Sequence, residues 1–276
     1  MARGGWLVAA LAGFVAGLAG GLFGVGGGIV LVPMLTAYFG LTQHQAHGTS
    51  LAAITATAIA GVVAYALGGH VAWLPAALMA GASVFTARIG ARLVAHSSRE
   101  RLLLAFALFI FAVGVRILWR APGDAAGHAT SHLVGPGEAA GWTGLGVSGW
   151  GLLGALGAGA AAGLLAGYLG VGGGIVAVPA LTLLFGMSQQ TAQGTSLALI
   201  LVTAPIGAIE HARHGNVARN LLPGLMTGAL VGAPLASLAA QRLPQATLAR
   251  AFAIFLIANA LRMGWAASHP KVPARV

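Results

Sequence analysis

The sequence contains no cysteine, which excludes disulfides, thiolate metal sites and cysteine nucleophiles and leaves no trace of a redox compartment. Acids are nearly as scarce: Glu100, Asp124, Glu138 and Glu210 are the only four in 276 residues. Charged residues make up 7% of the chain, where a soluble domain carries about 25%. That is too little charge to coat a water-facing surface. With 58% hydrophobic residues and a mean hydropathy of +0.90, the solvent for most of the chain has to be lipid. The 14 basic residues produce a formal net charge of +10, but they stand singly or in small groups at the ends of apolar runs, where they anchor helices and set orientation. No basic patch or aromatic stacking platform accompanies them, which argues against nucleic acid as a partner. Catalytic parts are missing too. No paired carboxylates or His-Glu zinc spacing occur, and neither Ser50 nor Ser196 has an acid–base partner in view, so no catalytic residue, metal or cofactor is expected.

What the chain has instead is glycine, 44 residues of it, and an internal repeat. Set against itself at an offset of 146, the sequence matches at 20 of 32 positions between 20–51 and 166–197; composition alone would give about four or five. The shared words are GVGGGIVLVPML and GVGGGIVAVPAL, followed at equal spacing by HGTSL and QGTSL. The apolar run 6–19 after Arg3 could pass for a secretion signal, but a similar run, 152–166, leads into the same motif in mid-chain, so both are read as repeat elements. The expected organisation is a first membrane repeat (1–120), a polar extracytoplasmic linker (121–141) and a second membrane repeat (142–276).

Each repeat reads as five apolar segments, 6–23, 29–39, 46–67, 73–95 and 101–119, then 150–169, 175–185, 192–209, 221–241 and 247–267. Most approach the roughly 20 residues that cross a hydrocarbon core. The second of each repeat does not, and Pro33 or Pro179 sits near its centre. The fold class predicted is an all-α integral membrane protein with Gly/Pro-broken short helices at the repeat interface. Charge placement sets the orientation. With an odd number of crossings per repeat and the N-terminus inside, the inner side receives Arg3, Arg88, Arg92, Arg99, Arg101, Arg213, Arg219, Lys271 and Arg275, against Arg116, Arg120, Arg242 and Arg250 outside. With Arg262 left out of both counts as intramembrane, an even, parallel arrangement with the N-terminus outside gives six inside against seven outside. The positive-inside rule therefore favours inverted repeats with both termini cytoplasmic.

The glycine run lacks the GK[ST] of a P-loop and sits in no βαβ pattern, so a nucleotide site is not expected. Isolated glycines such as Gly13, Gly17, Gly159 and Gly163 suit close helix packing. Three consecutive glycines, Gly26, Gly27 and Gly28 and again Gly172, Gly173 and Gly174, cost a helix about 3 kcal/mol relative to alanine, so a break is expected there. Broken segments at corresponding positions of two halves point to a substrate site near the midplane. The second constellation is Gly48-Thr49-Ser50 with its copy Gly194-Thr195-Ser196. Each is read as opening a long helix, where hydroxyls and free amides can either face an anion or simply cap the helix. Before them stand His47 in one half and Gln193 in the other. Glu210, the one acid adjoining an apolar helix that carries this motif, is the candidate coupling residue. Asp124, His128 and His132 recur every four residues in the linker but among glycines that disfavour a helix. Arg116 and Arg262 correspond across the repeat and are either charge partners for an anion or interface anchors.

The doubled G-x-G-G-G-[IV]-[VIL]-x-V-P followed by the doubled G-T-S-L resembles the TauE/SafE family, the sulfite-exporter or sulfonate-permease group, over nearly the whole chain except the linker and the last several residues. The resemblance implies an inner-membrane permease for a small anion, sulfite or an organosulfonate, with the lipid bilayer as its surroundings. A channel-like or metal-ion permease, drawn from the nine histidines, and an intramembrane enzyme are the competing readings.

Overall fold

The computed structural model describes residues 3–93, 99–119, 149–169 and 172–268, and these form ten α-helices. In chain order they are α1 (Arg3–Phe23), α2 (Gly28–Tyr38), α3 (Gln43–Leu67), α4 (Trp73–Leu93), α5 (Arg99–Trp119), α6 (Gly149–Leu169), α7 (Gly174–Leu183), α8 (Gln189–Arg213), α9 (Leu222–Arg242) and α10 (Gln245–Ser268). The linker 121–141, with Asp124, His128 and His132, lies outside the described residues. Among those described, five helices (α1, α3, α8, α9 and α10) are long and apolar enough to cross a membrane. Leu11, Leu108, Ile254 and Leu261 stand exposed on the outer faces, where a water-soluble protein would carry charge. The chain is a multi-pass membrane protein.

Each repeat contributes one helix that is too short to span. Helix α2 has 11 residues and α7 has 10, and at about 1.5 Å per residue neither covers much more than half of a hydrocarbon core. Their starts are set by glycine. Gly27 has φ 86° and Gly173 φ 78°, left-handed conformations that cost an L-residue about 1–2 kcal/mol. A Cβ at either position would also press on a backbone carbonyl, of Ala16 or Ala162. The predicted break is therefore present in both halves.

The starts of the long helices correct the sequence reading. Thr42, not the GTS triplet, caps α3: its hydroxyl accepts from the Gln45 amide at 3.3 Å while Gln45 Oε1 accepts from the Thr42 amide at 3.2 Å. Ser188 caps α8, accepting from Thr191 N at 3.2 Å without the reciprocal side-chain bond. Residues 48–50 and 194–196 therefore lie in the second turn, where their amides are already paired within the helix.

The two halves are interwoven. Helix α1 packs along α9, and its counterpart α6 packs along α4. Both pairs run parallel. Gly13, Gly17 and Gly21 face Leu225, Ala229 and Ala233 in that order, and Gly159 and Gly163 face Met79 and Ser83. A side chain at these glycines would overlap the facing backbone, so the seams are set by small residues and close van der Waals approach, which is what holds helices together in lipid. At the centre α3 and α8 cross in opposite directions. Gly48 at the start of α3 meets His211 at the end of α8, Gly194 at the start of α8 meets Tyr65 at the end of α3, and Gly61 and Gly207 meet Leu197 and Leu51. These two helices, equivalent at the repeat offset, thus run antiparallel. Ile54 and Ile200, fully buried equivalents, occupy the crossing.

Candidate functional site

The two glycine turns converge on that crossing. Gly26 and Gly172 both pack against Ile54 and Ile200, and Gly174, the first residue of α7, lies against Gly24 and Val25 of the other turn. The N-terminal ends of α2 and α7 are therefore brought together in the core. Gly27 and Gly173 offer no side chain to cap them. In each helix the first amides that turn back to the N-cap carbonyl are the third and fourth, Val30 and Leu31 to Gly27 O and Val176 and Ala177 to Gly173 O. Each helix end carries about half a positive charge. The unpaired amides of two such ends are donors that an anion can accept from.

The GTS triplets surround the turns, and each of their three residues has a separate structural task. Gly48 and Gly194 let a loop of the opposite half approach: a Cβ would overlap the carbonyl oxygen of Asn216 or His70. Thr49 Oγ1 accepts from Ala218 N at 2.9 Å, and Thr195 Oγ1 accepts from Ala72 N at 2.9 Å. Ala72 and Ala218 are themselves equivalent at the repeat offset, so one clasp is made twice, each time between halves. Ser196 Oγ donates to Gly24 O at 2.8 Å, tying α8 to the first glycine turn. Its counterpart Ser50 is fully buried and has no partner among the described residues. The carbonyl equivalent to Gly24 O belongs to Gly170, outside the described residues. Both threonines and Ser196 thus already hold protein groups, an outcome the spacing of GTS alone did not reveal.

Gln193 is buried completely and lies against Gly24. Tyr65 Oη, with one proton to donate, lies 2.9 Å from Gln193 Oε1 and 3.0 Å from Gly21 O, and Gln193 Nε2 has no partner among the described residues. Whichever way the amide is turned, one end meets the tyrosine and the other is buried and unpaired beside the first turn. An orphaned group of this kind costs about 1–3 kcal/mol unless a ligand or water satisfies it. In the other half His47 replaces Gln193, and His211, packed on Gly48, replaces Tyr65. His47 is half-buried and accepts from Gln43 Nε2 at 3.0 Å.

The remaining predicted residues fall into two groups. Pro33 and Pro179 lie within α2 and α7, where they belong to the broken helices. Glu210 does not join the site. It is exposed at the end of α8 with Arg213 Nη1 3.6 Å away and His214 Nδ1 4.0 Å away. Arg262, from α10, reaches the first turn of α2 and donates from Nη2 to Ile29 O at 2.9 Å. Its equivalent Arg116 is exposed in the last turn of α5. Among the described residues no group of three or more metal-ligating side chains occurs.

A family model described as sulfite exporter TauE/SafE matches residues 1–117. A probable membrane transporter protein of Xylella fastidiosa (strain 9a5c) is 33% identical over 240 residues, covering 86% of each chain. A second, from Xylella fastidiosa (strain Temecula1 / ATCC 700964), is 30% identical over 241 residues with the same coverage of both chains. The probable membrane transporter protein YdhB of Bacillus subtilis (strain 168) is 41% identical over 66 residues, 24% of this chain and 26% of that one. No solved structure matches the chain at a comparable level.

Proposed function

From a chain that belongs to the sulfite exporter TauE/SafE family of membrane transporters, we infer a secondary transporter for a small anion, sulfite or an organosulfonate, working in the inner membrane as two inverted repeats. The observation that carries this reading is the meeting of two uncapped helix N-termini, α2 and α7, at the crossing of α3 and α8. An oxyanion of sulfur offers several acceptor oxygens and no donor. That matches a place furnished by the backbone amides of Gly26, Gly27 and Gly28 and of Gly172, Gly173 and Gly174. Gln193 and Ser50 supply the polar side chains, with His47 on the first repeat's side, while Ser196 holds the first turn and Thr49 and Thr195 clasp loops of the opposite half. Ile54 and Ile200 pack against both turns, and rocking of one repeat against the other would open the site to each side in turn. Both termini face the cytoplasm and residues 121–141 face outward, as the placement of basic residues predicts.

Binding tests the substrate class. Sulfite and methanesulfonate, added to detergent-purified protein, should raise its unfolding temperature saturably. An anion at 100 times its Kd stabilises by about 2.7 kcal/mol. Zinc and other divalent cations should have no such effect. A shift with zinc and none with any anion would replace the anion carrier by a metal-ion permease.

A further inference from the structure

Proline inside α2 creates a defect that another helix repairs. In an α-helix the carbonyl of residue 29 accepts from the amide of residue 33, but residue 33 is Pro33, which has no N–H and whose ring pushes that carbonyl aside. Ile29 is buried, so water is not at hand to replace the lost bond. The donor comes from α10, where Arg262 Nη2 reaches Ile29 O at 2.9 Å. The helix that carries it is fixed against the same turn: Phe255, two turns before Arg262, stacks on Phe23 at the end of α1 with ring centroids 4.4 Å apart. Among the described residues the only ion pairs are those of Glu210, so no carboxylate competes for this guanidinium. The second half has the same ingredients, Pro179, Ile175 and Arg116, yet no bond from Arg116 to Ile175 O is formed.

We propose that Arg262 is a positioning residue of the anion site: by supplying the donor that Pro33 lacks, it fixes the first turn of α2 and so aims the Gly27 and Gly28 amides. The proposal rests on the anion site inferred above, but its mechanical part does not require a substrate. A carbonyl without its partner leaves the turn free to reorient, and an amide pair that samples several directions binds an anion more weakly than a fixed pair. The assignment is one-sided. Arg262 acts on the first repeat's turn, and Arg116 has no equivalent hold on α7 in this conformation.

Two measurements on the full-length protein in nanodiscs test it. The first is amide hydrogen exchange in α2, which needs no substrate. Arg262→Met, which keeps the stem and removes donors and charge, should raise exchange in residues 28–34 by tenfold or more, and Arg116→Met should leave α2 unchanged. Adding Pro33→Ala to Arg262→Met returns an N–H to position 33 and should restore protection. The second is the Kd for sulfite, which should weaken about tenfold in Arg262→Met and recover in the double variant, although the positive charge is still absent. Unchanged exchange in Arg262→Met would overturn the proposal. So would a Kd that recovers only in Arg262→Lys and not with Pro33→Ala, since that pattern makes the arginine a charge for the anion and not a support for the turn. Should Arg262→Met fail to insert, Pro33→Ala alone decides: it should make a subsequent Arg262→Lys change silent in exchange. Loss and rescue of α2 protection with no sulfite binding in any protein, the unaltered one included, would uphold the mechanical role and reject the anion site.

Discussion

Thr49 and Thr195 each accept a hydrogen bond from a loop amide of the opposite half, and this decides what their removal should do. Valine keeps the shape but strands the amides of Ala218 and Ala72, and an unsatisfied buried donor costs about 1–3 kcal/mol. Thr49→Val with Thr195→Val should therefore lower the unfolding temperature clearly, with transport declining alongside stability; a fully stable double variant would remove the clasp from the account. Glu210 is the opposite case. Exposed and beside Arg213, it belongs to a solvated helix end, and Glu210→Gln should leave transport and its response to a pH gradient unchanged in vesicles. At this scale the sequence points to residues that the fold largely buries, and says little of what they touch. The repeat singled out Thr49, Ser50, Thr195, Ser196, Gln193 and His47 because they recur at one offset. Their partners, Ala72, Ala218, Gly24 and Tyr65, are far away in the chain, and no local pattern marks them. Arg262 on Ile29 could have been anticipated in part, since Pro33 announces an orphaned carbonyl, but the donor's identity depends on how α10 is packed.

Helices were legible almost to the residue where glycine or proline punctuates them. The breaks before Gly28 and Gly174 follow from glycine's freedom at φ 86° and 78°, and the shortness of α2 and α7 follows from the apolar runs. The helices α3 and α8 start before their apolar runs, at Gln43 and Gln189, because a polar cap and not hydrophobicity sets the boundary. Thr42 and Gln45 form a capping box in a polar stretch, T-x-x-Q, which carried the boundary in plain view. The glycine turns make a sharp prediction. Gly173→Ala places a Cβ against Ala162 O and forces a left-handed alanine, a strain of about 1–2 kcal/mol before any overlap is counted. Gly27→Ala does the same against Ala16 O. Either substitution should abolish sulfite binding while leaving helix content by circular dichroism nearly unchanged, whereas Gly5→Ala, where a Cβ would meet nothing, should be silent.

The interweaving of the halves is the property of the whole molecule that the repeat alone did not disclose. A duplicated sequence is compatible with two lobes side by side; here α1 lies along α9 and α4 along α6, so the first helix of each half packs mainly on the other half. Antiparallel α3 and α8 leave open which side is inner; the basic residues, nine inner against four outer, predict it, and reporter fusions after Gly137 and at the C-terminus should report opposite compartments. The same signal at both positions would end the inverted-repeat reading. Counterflow in proteoliposomes tests whether this chain carries a small sulfur-containing anion across the membrane through the paired glycine turns. Vesicles loaded with unlabelled sulfite should accumulate radiolabelled sulfite transiently and saturably, methanesulfonate should compete, and Gly173→Ala vesicles should accumulate none. Linear, non-saturating entry, or accumulation equal in Gly173→Ala and the unaltered protein, would contradict it.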